Sequence, residues 1–150
     1  MAYWLLKSEP ETWSWEDQLR AGVEVWDGVR NPQAQRHLRS MRRGDLAFFY
    51  HTGTERRVVG IVEVVREAYP DPSDPGRVVV EVRAVRPLAR PVTLAQIRAD
   101  PQLQHLLLLR QPRLSVIPVD PVSWSRICAM GGLPPEAPEA YHSRGRTRAS

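Results

Sequence analysis

Short apolar runs alternate with clusters of proline, glycine and polar residues along this chain of 150 residues. Runs rich in aromatic and β-branched residues that are bounded by such clusters are typical of β-strands. The pattern predicts strands at residues 3–7, 46–51, 58–65, 77–85 and 114–119. A shorter apolar run, 23–26, leads into a tight bend.

Residues that cap helices stand between these runs. The predicted helices begin after Ser14, Asn31, Thr93, Asp100 and Asp120. The first covers 15–21, has Asp17 in a capping box with Ser14, and ends at Gly22. Trp13 and Trp15 flank its cap, and we expect one of them to pack over the helix entry. The second covers 32–41, and we expect its polar side to carry Gln35, Arg36 and Arg39.

Proline and glycine mark the predicted irregular segments. The proline-rich residues 69–76 are the clearest loop in the sequence. Pro87 and Pro91 predict an irregular crossing after the strand at 77–85. Gly60 lies inside a strand, where glycine indicates a bulge or a close approach by another part of the chain.

The bend Trp26-Asp27-Gly28-Val29-Arg30-Asn31 joins an apolar run to a helix start. Gly28 predicts a turn that a side chain would obstruct, and Asn31 before Pro32 is a helix cap. An indole stacks on planar partners, while Arg and Asn side chains read base edges or hold phosphate. We interpret the bend as one wall of a base-sized pocket. A buried Trp26 behind a capped helix is the structural alternative, and the hexapeptide alone is compatible with both.

Mostly antiparallel strands with short helices predict an α+β fold, a small curved sheet or open barrel flanked by helices. We expect one domain over 1–132. Residues 133–150, rich in proline and arginine, predict a disordered tail.

The formal net charge of +4 and a pI of about 9.8 favour a polyanionic partner. One cysteine, Cys128, excludes an intrachain disulfide, and the histidines lack metal-ligand spacing. We therefore expect no metal and no cofactor. The N-terminus lacks the basic start of a signal peptide and no run reaches the length of a membrane span. We expect a cytoplasmic monomer that does not bind membranes.

Several motifs occur together in a specific order and spacing. They are Tyr3-Trp4-Leu5-Leu6-Lys7-Ser8-Glu9-Pro10, the bend at 26–31, Gly44-Asp45 before Phe48-Phe49-Tyr50-His51, Val59-Gly60-Ile61-Val62-Glu63-Val64, Leu108-Leu109-Arg110 and Arg113-Leu114-Ser115-Val116. In combination they closely resemble the EVE domain family over residues 2–132. The resemblance implies a PUA-like curved β-barrel related to the YTH readers of methylated RNA. It also implies non-catalytic binding of a modified base in DNA or RNA.

The resemblance also implies roles for individual residues. Trp26 would form the stacking wall, and Ser8, Asn31 and the backbone of Gly28, Val29 and Arg30 would meet the base edge. Phe49, Tyr50 and His51 would border the pocket, and Arg36 and Arg39 would hold phosphate. One position departs from the family pattern, since Val78 stands where many relatives have Trp. This departure leaves the identity of the ligand open.

Two other functions remain open. Some PUA-like enzymes of the ASCH family hydrolyse acylated nucleosides with a Lys, a Thr and a Glu, which makes Lys7, Ser8 and Glu9 a candidate set. Neighbouring strand residues point to opposite faces, so these three converge only if the strand breaks, as Pro10 permits. A protein-binding adaptor is the third function that the sequence allows.

Overall fold

The computed structural model describes residues 1–134 and has the α+β fold that the sequence predicts. The strands are β1 (Tyr3–Ser8), β2 (Val23–Trp26), β3 (Leu46–His51), β4 (Arg57–Asp71), β5 (Asp74–Thr93) and β6 (Val116–Val119). The α-helices are α1 (Trp15–Ala21), α2 (Pro32–Ser40), α3 (Leu94–Ala99), α4 (Leu107–Arg110) and α5 (Pro121–Met130). A single 3₁₀ turn, Pro101–Leu103, follows α3. The predicted tail lies almost entirely outside the described residues.

The strands form one sheet in the order β2-β5-β4-β3-β1-β6. Every neighbouring pair is antiparallel except β1 with β3, which are parallel. Helix α2 hydrogen-bonds to β5, the strand next to one edge of the sheet, and to β6 at the other edge. Its Gln35 side chain bonds the backbone of Val78 in β5, and His37 Nδ1 lies 2.7 Å from the carbonyl oxygen of Val116 in β6. The sheet therefore curls until β5 and β6 both contact the same helix.

The core lies around β3, in which all six residues are buried. The strand predicted at 46–51 is therefore covered on both of its faces. On one side Trp124 of α5 stacks on Phe48 with ring centroids 3.8 Å apart, and Tyr3 stacks on the same indole at 4.6 Å. These aromatic contacts fix α5 against the middle of the sheet.

The predicted caps are confirmed. Ser14 and Asp17 form the capping box of α1, and Gly22 ends that helix with φ of 74°. The Asn31 side chain accepts a hydrogen bond from Ala34 N at the start of α2. Gly60 is a close-approach point, because a Cβ there would lie 2.6 Å from the Trp15 ring.

The predicted loop at 69–76 is wrong. Strands β4 and β5 continue through it as a two-stranded ribbon and turn only between Asp71 and Asp74. The predicted crossing at Pro87 and Pro91 is also wrong, because both prolines lie inside β5. The β4–β5 ladder contains five register shifts, and such irregularities accommodate residues that lack a backbone donor.

The predicted solvent-facing position of Gln35 is wrong as well. This side chain is 5% exposed and lies between α2 and β5. Its Nε2 donates to the carbonyl oxygens of Val29 and Val78 at 2.8 and 3.1 Å, and its Oε1 accepts from Val78 N at 2.9 Å. A buried amide is stable here because it satisfies backbone groups that no strand pairs.

Candidate functional site

A cleft of about 450 Å³ lies between the end of β1 and the bend that follows β2. Its lining consists of Lys7, Ser8, Glu9, Thr12, Trp13, Glu24, Val25, Trp26, Asp27, Gly28, Val29 and Ser115. Strand β2 is one edge of the sheet, while Ser115 directly precedes β6 at the other edge. The cleft is thus the part of the opening between the two sheet ends that α2 leaves uncovered.

Trp26 forms part of the apolar wall of this cleft. The residue is 7% exposed, and its ring meets Phe49 edge-to-face with centroids 5.6 Å apart. Phe49 makes similar contacts with Trp15 at 5.3 Å and with His51 at 5.7 Å. These supporting rings lie behind Trp26 and hold the indole in one orientation.

The bend places Gly28 and Val29 in the lining, as predicted, but the role of Gly28 is conformational. Its φ is 74°, a left-handed value that favours glycine. A Cβ at this position would have no atom within 4 Å other than those of its chain neighbours. A side chain there would be strained rather than obstructed, contrary to the expectation from the sequence. The Gln35 amide fixes the next residue by bonding the Val29 carbonyl.

Trp13 is a second indole in the cleft that the sequence reasoning assigned only to the helix entry. Its carbonyl oxygen accepts a hydrogen bond from Ser8 Oγ, and its Nε1 donates to Gln18 Oε1 at 3.0 Å. Gln18 is fully buried and donates to the Gly22 carbonyl. The sequence signal was present, since Trp13 follows the strand whose polar end delivers Ser8 to the same rim.

Of the predicted base-binding residues, Ser8, Trp26, Gly28 and Val29 lie together in the lining. The others are outside it: Arg30, Asn31, Phe49, Tyr50 and His51. The backbone N–H of Trp15 donates to His51 Nε2 at 3.0 Å, and His51 Nδ1 bonds Glu55 Oε1 at 2.8 Å. Both ring nitrogens of His51 are therefore committed to the scaffold.

The predicted phosphate ligands Arg36 and Arg39 are exposed on α2 and do not line the cleft. Arg39 Nη2 lies 3.5 Å from the carbonyl oxygen of Gly76 in the β4–β5 ribbon. Val78 is also outside the lining, and its backbone is bonded to Gln35. Val78 itself therefore forms no part of the walls of this cleft.

The cleft is rich in hydrogen-bond acceptors. Three acidic residues contribute to the lining, Glu9, Glu24 and Asp27, against one basic residue, Lys7. Burial lowers the pKa of Lys7, whose Nζ donates to the Pro112 carbonyl at 2.8 Å. An acceptor-rich interior suits a neutral ligand with N–H donors better than a phosphate.

Lys7, Ser8 and Glu9 all contribute to the lining, although Lys7 and Ser8 are neighbours within β1 and their side chains point to opposite faces of the sheet. Ser8 Oγ is bonded to a backbone carbonyl and Lys7 Nζ to another. Within residues 1–134 no group of three or more His, Cys, Asp or Glu side chains is placed to hold a metal ion. In the same part of the chain no helix is long and apolar enough to cross a bilayer.

Solved structures share this fold. A crystal structure of a protein from Agrobacterium tumefaciens is 44% identical, with a TM-score of 0.87 over 90% of this chain and 97% of that one. The human THYN1 protein, solved in complex with DNA containing 5-methylcytosine, is 30% identical, with a TM-score of 0.81 over 87% of this chain and 98% of that one. A Zygosaccharomyces rouxii YTH domain, solved with N6-methyladenosine RNA, shares the fold at a TM-score of 0.53 and 14% identity, covering 87% of this chain and 86% of that one.

Sequence comparison gives the same grouping. Human thymocyte nuclear protein 1 is 33% identical to this chain, and the match covers 79% of this chain and 68% of the human protein. The chain thus spans about two thirds of that relative's length. The model of the EVE domain matches residues 2–130. This chain belongs to the EVE domain family.

Proposed function

We propose that this protein is a non-catalytic module that binds a modified base of a nucleic acid in the cleft between β1 and the bend. The observation that carries the proposal is a preformed cleft walled by Trp13 and Trp26. Its volume of about 450 Å³ falls within the range of about 300–1,000 Å³ that is typical of small-ligand sites. The DNA complex of human THYN1, which contains 5-methylcytosine, supports the choice of ligand.

The energetics fit moderate selectivity. Stacking of a base on an aromatic side chain contributes about 1–3 kcal/mol and does not depend on sequence. An added methyl group in a fitted apolar pocket contributes about 1–3 kcal/mol more. Because the edge-to-face contact with Phe49 holds the Trp26 ring, the wall is organised before the base arrives.

The polar groups of the cleft favour a base with an exocyclic amine. Glu24 and Asp27 lie in the lining beside Trp26, and carboxylates accept hydrogen bonds from the amino group of cytosine. Ser8 Oγ donates to the Trp13 carbonyl and keeps lone pairs with which it accepts another N–H. A base reaches these groups only from a single strand or after extrusion from a duplex.

The test is a binding titration of oligonucleotides that carry one modified base against unmodified controls of the same sequence. We expect the wild-type protein to prefer one modified base, Trp26→Ala to abolish that preference, and Trp26→Phe to retain part of it. Val122→Ala serves as a control, because Val122 is 72% exposed on α5 and does not line the cleft. Equal affinity of the wild-type protein for every modified and unmodified oligonucleotide would contradict the proposal.

The convergence of Lys7 and Glu9 on the same cleft favours a second candidate, hydrolysis of an acylated nucleoside. That function requires turnover that Lys7→Ala removes. Release of deacylated product by the wild-type protein would favour the hydrolase over the binding module. Base binding without product release would favour the module.

A further inference from the structure

We propose that the free edge of β2 reads the bound base, with the backbone of Val25 pairing with the Watson–Crick edge of that base. The Val25 N–H donates to the acceptor nitrogen of the ring, and the Val25 carbonyl oxygen accepts from the exocyclic amine. The inference rests on the proposed function and deepens it, because it names the protein atoms that identify the base in the same cleft.

The pairing of β2 with β5 shows which backbone groups of β2 are free. β2 pairs with β5 alone, and in the same register the Gly22 carbonyl accepts a hydrogen bond from Ala84 N at 3.1 Å. Bonded and non-bonded pairs alternate along an antiparallel ladder, so the next residues that bond to β5 are Glu24 and Trp26. Val25 lies between them and turns its N–H and its carbonyl away from β5.

The outward groups of Val25 lie at the cleft. Val25 belongs to the cleft lining, and within residues 1–134 no strand flanks β2 on this side. Neither backbone group has a partner elsewhere in the described part of the chain. Val25 is also exposed, so a ligand reaches its backbone without displacing protein. The other outward residue of the strand, Val23, lies outside the lining.

The two free groups match the edge of an amino base. A bonded residue in an antiparallel ladder exchanges two hydrogen bonds with its partner, one through its N–H and one through its carbonyl. Cytosine offers the same combination, an acceptor ring nitrogen beside an exocyclic amine that donates. Thymine reverses it, because its ring N–H would face the Val25 N–H and its O4 acceptor would face the Val25 carbonyl. The edge of β2 therefore accepts cytosine and rejects thymine.

The Val25 N–H differs from the side-chain donors of the cleft. Those of Lys7, Ser8 and Trp13 already bond to protein groups. The ionised acidic side chains of the lining supply acceptors alone. The Val25 N–H has no such commitment, and the ladder bonds of its two neighbours fix its direction before a base arrives. It is therefore a preorganised donor for a ring nitrogen.

A free edge also attracts strands of other copies, but β2 is poorly suited to that pairing. The strand has only four residues, and Glu24 places a charged side chain in its middle. Short edge strands with charged residues are the usual protection against edge-to-edge association. A ligand that needs two hydrogen bonds fits this edge better than a partner strand.

The test uses three single-stranded DNA oligonucleotides that differ at one base: 5-methylcytosine, cytosine or thymine. 5-Methylcytosine and thymine carry the same methyl group and differ only at the Watson–Crick edge. 5-Methylcytosine and cytosine differ only in the methyl group. The ratio of Kd values for the first pair therefore reports on the edge of β2, and the ratio for the second pair reports on the proposed recognition of the modification.

Val25→Pro removes the outward N–H, and an edge strand tolerates proline where the N–H is not part of the ladder. We expect the wild-type protein to bind the 5-methylcytosine oligonucleotide more tightly than the thymine one. Val25→Pro should lower this preference by about three- to ten-fold, the effect of one lost hydrogen bond. Its preference for 5-methylcytosine over cytosine should stay within about two-fold of the wild-type value, because the methyl group contacts the apolar wall.

Replacement of the amide N–H by an ester oxygen gives the same test with the side chain intact, should Val25→Pro fold poorly. An ester at Val23 is the matched control, since it removes an outward N–H of the same strand outside the lining. Each ester also weakens one ladder carbonyl, that of Glu24 or that of Gly22, so the cost to folding is balanced. We expect only the ester at Val25 to lower the preference for 5-methylcytosine over thymine.

The outcomes separate this inference from the proposed function. Equal binding of 5-methylcytosine and thymine by the wild-type protein, an unchanged ratio in both Val25 forms, or equal losses in the two esters would overturn the inference. So would a dimer in analytical ultracentrifugation that Val25→Pro dissociates without any change in base preference. Equal binding of 5-methylcytosine and cytosine by the wild-type protein would count against recognition of this modification, and the ratio of cytosine to thymine would still test the edge.

Discussion

Replacement of Gln35 by Leu tests how the site is held, because one buried amide joins the bend of the cleft to the sheet. Gln35→Leu keeps much of the side-chain volume but leaves three backbone groups without a partner: the carbonyls of Val29 and Val78 and the N–H of Val78. An unsatisfied buried polar group costs about 1–3 kcal/mol. Val78 is only partly buried, and water can replace some of the lost bonds there.

We therefore expect Gln35→Leu to lower the free energy of unfolding by about 2–4 kcal/mol. Urea denaturation followed by tryptophan fluorescence measures this change, and Arg36→Leu is the matched control on the exposed side of α2. Because the Val29 carbonyl lines the bend, the same variant should also weaken base binding when it is assayed below its unfolding transition.

The acidic substitution sharpens the test. Gln35→Glu keeps an acceptor for Val78 N but loses both donors and places a carboxylate against two carbonyl oxygens. It should destabilise the protein more than Gln35→Leu at neutral pH and less at acidic pH, since protonation removes the buried charge. If both variants stayed within about 0.5 kcal/mol of the control, the reasoning about the buried amide would be wrong.

Two further predictions concern stability. Gly60→Ala should destabilise the protein by about 1–3 kcal/mol in thermal denaturation, because its Cβ would lie 2.6 Å from the Trp15 ring, and an unchanged melting temperature would contradict this packing. Although burial acts to raise it, hydrogen bonds from His105 and Ser123 bring the pKa of Asp120 down to about 2. Since the folded-state pKa lies below the usual value of 3.8, the ionised Asp120 stabilises the protein above about pH 4, and this contribution disappears as the pH falls toward 2. The difference in stability between wild-type protein and Asp120→Asn should therefore be about 1 kcal/mol at pH 6 after solvent screening and should shrink below pH 3.

Local signals in the sequence predicted most of the elements. Ser14 with Asp17, Asn31 before Pro32 and the apolar run of β3 each act through neighbouring residues, so the caps and the central strand follow from local chemistry. The strand pattern also predicted an open, curved sheet, because mostly antiparallel strands with short helices close in few ways.

The errors occurred where distant contacts decide the structure. The prolines at 69–76 indicate a loop, yet the long β4–β5 ribbon accommodates them through register shifts. Helical periodicity placed Gln35 toward solvent, but unpaired backbone groups of the bend and of β5 bury it. These partners are the backbone groups of Val29 and Val78, and a pattern of polar and apolar side chains carries no information about which backbone groups lack a partner.

In the candidate site, too, the residues placed by local sequence were predicted and the residue placed by distant contacts was missed. Ser8, Trp26, Gly28 and Val29 lie in the cleft because a strand end and a bend supply them directly. Trp13 was missed as a wall, since its place depends on hydrogen bonds with Ser8 and with the buried Gln18.

The most direct test of the central claim is the ratio of Kd values for an unmodified and a modified oligonucleotide, measured with wild-type protein and with Trp26→Ala at physiological salt. The account predicts that the wild-type protein prefers one modified base by about five-fold or more, because an added methyl group in a fitted apolar pocket contributes about 1–3 kcal/mol. It predicts a ratio of one for Trp26→Ala with an unchanged salt slope. A ratio of one for the wild-type protein with every modified base, or a preference that survives the loss of the indole, would contradict it.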